Sequence, residues 1–194
     1  MKTLVVYCHP DPESYVASLR DVTMRALARA GHQLRLNDLY GEGFDPAFSA
    51  GDHDRHLQPG THPSIARYAD DLQWCEAIVL VYPTWWGGQP AMLKGWIDRV
   101  WACGVAWELP EGATRLRPRL RNVRRLVAVT THGSSKWVNT LEGEGGKRTL
   151  TRALRVLCHP LCRTKWIALY GVDNASADRR ARFLQRVDRE LSRL

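Results

Sequence analysis

A chain of 194 residues with 44% hydrophobic and 25% charged residues has the make-up of an ordinary globular protein, and its length predicts one domain over 1–194. No apolar run reaches the roughly 18 residues of a membrane span, and the opening MKTLVVYCHPDPESY turns polar too soon for a secretory leader, so a cytoplasmic protein with no membrane span is expected. The net charge of +8 raises nucleic acid as a partner, but no nucleic-acid signature accompanies the densest basic run, RLRPRLRNVRR over 115–125, and a solvated basic face is the plainer reading.

Cys8, Cys75, Cys103, Cys158 and Cys162 are odd in number and irregular in spacing, which argues for buried thiols and against a disulfide framework. Cys158-His159-Cys162 has the look of half a zinc site, but no second ligand pair of matching spacing exists, and no metal is expected.

In chain order, 2–7 (KTLVVY) is a short apolar, β-branched run that predicts a buried strand. From Ser14 the period becomes helical, with Val16, Leu19, Val22, Thr23, Ala26 and Leu27 on one face, Ser14 near the N-cap and Gly31 as the stop. A second strand is predicted at 32–36. The polar, Gly- and Pro-bearing stretch 40–63 reads as a loop, long enough to suggest function. A helix follows at 64–74 and a third strand at 77–81. The helix 89–101 carries Met92, Leu93, Trp96, Ile97 and Val100 on one face. A fourth strand is predicted at 123–130, a helix at 147–157, a fifth strand at 163–169 and an amphipathic helix at 178–194. Five β-α units imply an α/β fold, a doubly wound, five-stranded parallel sheet of flavodoxin-like order 2-1-3-4-5.

Ligands of such sheets bind at the carboxyl ends of the strands, at the topological switch point. The loops there are CHPDPESYV (8–16), YPTWWGGQ (82–89) and TTHGSSKWV (130–138), and they hold the most unusual residues of the chain. Trp85 and Trp86 offer flat apolar surfaces on which a conjugated ring stacks, and Gly87 and Gly88 allow close backbone approach. Thr130, Thr131, His132 and Gly133 add donors. His9 and Ser14, at a helix start, suit a phosphate. Packing against the next helix or a partner subunit is the competing use for the two tryptophans.

These residues resemble the NAD(P)H:quinone oxidoreductases, the DT-diaphorase-like branch of flavodoxin-fold flavoproteins. The matching stretches are His9 with Ser14-Tyr15, the run from Tyr82 through Pro83, Thr84, Trp85, Trp86 and Gly87 to Pro90-Ala91-Met92-Leu93-Lys94-Gly95-Trp96, then Asp98-Arg99-Val100 and Thr130-Thr131-His132-Gly133-Ser134. The resemblance implies a homodimer binding FAD, with FMN as the alternative, across the subunit interface. It implies ping-pong hydride transfer from NAD(P)H to a quinone, nitroaromatic or azo acceptor. Pro83, Thr84, Trp85, Trp86 and Gly87 would line the flavin ring, Thr131, His132 and Gly133 would meet its pyrimidine edge, and His9, Ser14 and Tyr15 would hold its ribityl-phosphate portion, with Val16 and Thr130 also in the cofactor site. Trp107 would cover the substrate from the partner subunit.

Three departures stand out. Trp137 occupies the place of the family's tyrosine donor, and 142–146 (EGEGG) holds no histidine where one is expected, so His132 and Trp137 are the candidate catalytic and substrate-facing groups. Val16 replaces a frequent asparagine. Gly88-Gln89 replace apolar residues. These changes keep two other functions in view, a non-catalytic regulatory flavin-binding subunit of the potassium-efflux ancillary type and a flavodoxin-like electron carrier.

Overall fold

The computed structural model describes residues 1–55, 57–58 and 62–194. In chain order the elements are β1 (Lys2–Tyr7), α1 (Tyr15–Arg29), β2 (Gln33–Asp38), α2 (Ala50–Arg55), α3 (Ala66–Trp74), β3 (Ala77–Thr84), α4 (Ala91–Val100), β4 (Trp107–Glu108), β5 (Arg117–Pro118), β6 (Arg125–His132), α5 (Lys136–Leu141), α6 (Gly145–Arg148), β7 (Arg163–Tyr170) and α7 (Ala177–Leu191). The main sheet is all parallel, in the order β2-β1-β3-β6-β7, which is the predicted 2-1-3-4-5 once the short β4–β5 hairpin is set aside.

The strands are apolar throughout because both faces are covered. Leu4, Val6, Ile78, Leu80 and Tyr82 face the core under α3 and α4, while Val5, Tyr7, Val79, Val81, Val127 and Val129 face the core under α1 and α7. Alternation within each strand thus divides one apolar run between two layers. All five cysteines are buried free thiols.

The stretch read as a loop at 40–63 is tied to α4. A Cβ on Gly95 would lie 2.3 Å from the Pro46 carbonyl oxygen, so only glycine lets this segment cross the helix. Arg99 pairs with Asp52 at 3.2 Å with both side chains under a tenth exposed, and it donates to the Asp45 carbonyl at 2.5 Å and to Ser64 Oγ at 3.1 Å. Burial pushes the Asp52 carboxyl up, but bonds from Ser49 and Arg99 outweigh it and hold the group below the usual carboxylate range. One arginine on another element thus ties the segment down at three points, and α2 lies inside it. Residues 56 and 59–61 of the expected loop lie outside the described residues.

Three further elements differ from expectation. β3 runs on through Tyr82, Pro83 and Thr84, and β6 through Thr131 and His132, because the two strands pair to their ends (Pro83↔Thr131, Thr84↔His132). Proline near a strand end loses only one ladder bond, so pairing overrides its turn signal. The helix predicted at 147–157 is instead α6, then a wide π turn over Thr149–Leu154 and a tight turn over Arg155–Leu157.

Candidate functional site

The residues 85–88 form a two-residue hairpin turn, closed by Trp85 N–H to the Gly88 carbonyl at 3.2 Å and Gly88 N–H to the Trp85 carbonyl at 3.1 Å. Trp86 (φ 49°) and Gly87 (φ 71°) both take left-handed backbone, the pattern of a type I′ turn. Glycine is at ease there, whereas tryptophan is strained by roughly 1–2 kcal/mol. The turn leaves Trp86 fully exposed, its ring outside the core, and leaves the Trp86 and Gly87 amides out of the two closing bonds. Trp85 is partly covered, with its ring 6.3 Å from that of His9.

This turn walls a cavity of about 690 Å³ at the carboxyl ends of the strands. His9, Ser14, Tyr15 and Val16 line it from the β1–α1 junction, Pro83, Thr84, Trp85 and Trp86 from β3, Thr131, Gly133 and Ser134 from β6, and Val172, Asp173 and Arg180 from beyond β7. Ser14 caps α1, its Oγ accepting from Ala17 N–H at 3.1 Å, and Tyr15 donates to the Arg180 carbonyl at 2.8 Å. Burial pushes the Tyr15 phenol up to about 12, so this hydroxyl stays protonated. Val16 is buried and gives an apolar wall. A Cβ on Gly133 would sit 2.6 Å from Asp173 Oδ2, so any other residue there would swing that carboxylate aside.

Next to it lies a smaller cavity of about 180 Å³, lined by Thr84, Trp86, Gly87, His132, Gly133, Ser134, Asn139 and Glu142. His132 is buried, its Nδ1 2.6 Å from Asn139 Oδ1 and its Nε2 3.4 Å from Thr84 Oγ1, and its ring stacks on Tyr170 at 4.4 Å. Burial lowers its pKa against the opposing influence of the Asn139 bond, Glu144 and Glu142, so the imidazole is neutral at pH 7.

The turn rests on the segment 142–146. Gly146 N–H donates to the Gly87 carbonyl at 3.1 Å, and Gln89 Nε2 donates to the Gly146 carbonyl at 2.9 Å. A Cβ on Gly146 would stand 3.4 Å from Gly88 Cα. The EGEGG stretch therefore serves as the seat of the tryptophan turn.

Gly87 and His132 line only the smaller cavity, and three further sequence candidates line neither. Thr130 is fully buried and spends its hydroxyl on Thr84, Oγ1 to Oγ1 at 2.9 Å. Trp137, in the first turn of α5, is 71% exposed and lines neither cavity. Trp107 corrects its expectation most clearly: it is 6% exposed in this chain's own core, and its indole donates to the Trp101 carbonyl at 2.8 Å, instead of standing free to cover a neighbouring subunit. The β4–β5 pairing with Arg117–Pro118 holds it there.

A profile described as flavodoxin-like fold matches residues 1–193. This chain belongs to the flavodoxin-like fold family. Among its relatives, the flavodoxin-like chain is 29% identical over 154 residues to the ribosyldihydronicotinamide dehydrogenase [quinone] of Pongo abelii, covering 70% of this chain and 65% of that protein. It is 34% identical over 106 residues to an uncharacterized NAD(P)H oxidoreductase of Escherichia coli, covering 53% of this chain and 54% of the other. The chain thus spans about half to two thirds of the length of these two relatives. Smu.1420 of Streptococcus mutans superimposes with a TM-score of 0.86 at 27% identity over the whole of both chains. An NAD(P)H:quinone oxidoreductase of Methanothermobacter marburgensis superimposes at 0.84 and 21% identity, covering 99% of this chain and 96% of the other, a likeness of fold. Among the described residues no group of three or more metal-ligating side chains comes together, and no helix is long and apolar enough to cross a membrane.

Val172, Asp173 and Arg180 were not foreseen in the flavodoxin-like chain. The switch point lies between the first, third and fourth predicted strands, yet the fifth also ends at this edge. Arg180 follows Ser176, whose hydroxyl caps α7 by accepting from Arg179 N–H at 3.2 Å, and an arginine in the first turn after a strand end was the available signal.

Proposed function

We propose that the chain is a flavin-dependent NAD(P)H oxidoreductase that passes two electrons, by a ping-pong hydride mechanism, to a quinone, nitroaromatic or azo acceptor. The observation that carries this reading is Trp86, held fully exposed in left-handed backbone at the rim of the 690 Å³ cavity. A strained conformation maintained with no core packing in return marks a residue kept for contact with something else. The names of the relatives support the reaction class, and a neighbour in fold from Bacillus anthracis is an FMN-dependent NADH-azoreductase in complex with FMN.

The cavity fits a flavin in size and in chemistry. A flavin held there would supply the two-electron redox chemistry. The chain's own residues do the rest. Trp85 and Trp86 exclude water and give a flat wall, with Pro83, Thr84 and Gly87 shaping it. The Trp86 and Gly87 amides, and the β6 end at Thr131 and Gly133, offer donors where negative charge develops. The start of α1, with His9, Ser14, Tyr15 and Val16, meets the phosphate-bearing portion, and Arg180 adds a positive charge. His132, in the wall of the smaller cavity, is the group proposed to meet the acceptor, and Trp137, outside both cavities, would reach it only from the exposed face of α5. FAD is the preferred cofactor, with FMN the alternative. A single domain over 1–194 acts as a homodimer in the cytoplasm.

An absorption spectrum of the purified protein with added FAD or FMN, followed by NADPH without oxygen, tests this. Oxidised-flavin bands that bleach promptly support it. No bound flavin in excess of either would refute it, and bands that persist would favour a binding or carrier role.

A further inference from the structure

We propose that Asn139 and His132 together fix the direction of the Thr84 hydroxyl, so that the crevice meets a hydrogen-bond acceptor at Thr84, and that protonation of His132 reverses this polarity. Asn139 and His132 are here positioning residues. The pH-dependent affinity rests on the flavin reading above; the tautomer does not.

The chain of bonds has one consistent direction. Asn139 Nδ2 donates to the Ser135 carbonyl at 2.8 Å, which turns Oδ1 toward His132. An amide oxygen only accepts, so His132 Nδ1, 2.6 Å away, carries the hydrogen. In a neutral imidazole Nε2 then presents a lone pair. Thr84 Oγ1 lies 3.4 Å from it and donates there. Thr130 Oγ1, 2.9 Å from Thr84 Oγ1, then donates to Thr84, the nearer acceptor, in place of the Thr131 carbonyl at 3.5 Å. The order is Thr130 to Thr84 to His132 to Asn139 to the Ser135 carbonyl.

Thr84 lines both cavities. With its hydrogen turned to His132, it offers the crevice only a lone pair. The bound group that meets it must donate, as a ring imide or amide N–H does. A carbonyl or ring-nitrogen acceptor at that point is disfavoured.

The charged and titratable groups around His132 are few. Glu142 and Glu144 approach from the segment between α5 and α6 and favour the imidazolium. Lys147 bonds Glu144 at 2.8 Å and offsets it. Tyr170 on β7 stacks on the ring and Trp166 lies 6.0 Å away, both uncharged at pH 7. From β3 the neighbour is Thr84, and from α5 it is Asn139. Burial outweighs the two carboxylates and lowers the pKa. The reversal therefore falls on the acid side of the ordinary imidazole value of about 6.5. Below it, Nε2–H donates to Thr84, and the Thr84 hydrogen is released.

Nitrogen-15 NMR of the His132 ring in flavin-free protein, read from pH 4.5 to 8, tests the first half. The expected spectrum is a neutral Nδ1–H tautomer that protonates below about pH 6.5. Asn139→Asp places a carboxylate against Nδ1 and should raise that midpoint by about a unit or more. An Nε2–H tautomer, or a midpoint that ignores Asn139→Asp, would overturn the proposal. The second half is read by FMN and FAD titration over the same range. Affinity should fall about tenfold as His132 protonates, the cost of one mismatched hydrogen bond. The break should move with the midpoint in Asn139→Asp, persist in Thr84→Ser and vanish in the isosteric Thr84→Val. A break that survives Thr84→Val sinks the proposed polarity. Failure of either flavin to bind at any pH sinks the cofactor reading instead, and the NMR result still decides the tautomer.

Discussion

The two glycine-bearing segments that meet at the crevice, 85–88 and 142–146, both contain left-handed backbone at a residue other than glycine, and they hold it by different means. Trp86 (φ 49°) is restrained through backbone bonds, the two that close its hairpin turn and the Gly146 N–H bond to the Gly87 carbonyl, and its side chain touches solvent. Glu144 (φ 48°) is anchored through its side chain, by Lys147 at 2.8 Å and by the Tyr170 hydroxyl at 3.4 Å. One side chain offsets its backbone strain through contacts within the fold. The other has no such contact, which is why a ligand is the natural partner for Trp86 and not for Glu144.

The largest expected effect comes from separating the two segments. Gly146→Val puts branched carbon against the Gly88 backbone, already 3.4 Å from where a Cβ would stand, and should cost about 1–3 kcal/mol of stability by overpacking. Denaturant unfolding measures the loss, and flavin titration should show weaker binding because the turn is displaced. Full stability with unchanged affinity would mean the seat is not needed.

Trp86→Gly should move the two readouts in opposite directions. Relief of the left-handed strain offsets the added chain entropy and leaves stability unchanged or raised by up to about 1 kcal/mol. Flavin affinity should drop by tenfold or more, the worth of a ring contact of about 1.4 kcal/mol. A clear loss of stability would place Trp86 in packing and remove the central support for the cofactor reading.

The smallest effect is at Glu144. Glu144→Gly loses a half-exposed ion pair worth at most about 1 kcal/mol and gains a relaxed backbone, so the net should lie near zero. The Lys147 bond holds the Glu144 carboxyl below its usual value. Its contribution is present above the carboxylate range and lost as pH falls through the folded-state value. The gap between Glu144→Gly and the parent protein should therefore shift in favour of the glycine variant on acidification, in melts at pH 7 and pH 3. No pH dependence of that gap would mean the side-chain anchor contributes nothing.

What was legible followed from local pattern. Apolar runs of six to eight residues separated by helical periods fix a parallel sheet with two covered faces, and the switch-point rule then selects the loop ends bearing Trp85, Trp86 and Gly133. The pattern fails where order comes from a distant residue. Residues 40–63 look like a loop because the arginine that pins them, Arg99, lies on α4. The helix expected at 147–157 opens into a π turn although its leucine spacing suits an α-helix. Trp107 looks like a surface aromatic until the β4–β5 pairing closes it into the core.

The sequence by itself determined the layer order and the crevice edge, because hydrophobic period and glycine placement act over a few residues. Tertiary structure decided which side of each residue faces the crevice. The histidine expected as a donor is buried and neutral, Thr130 turns to Thr84, and Arg180 arrives from the last helix. Each of those outcomes depends on hydrogen bonds between elements far apart in the chain, and their direction follows only once donors and acceptors are brought within reach.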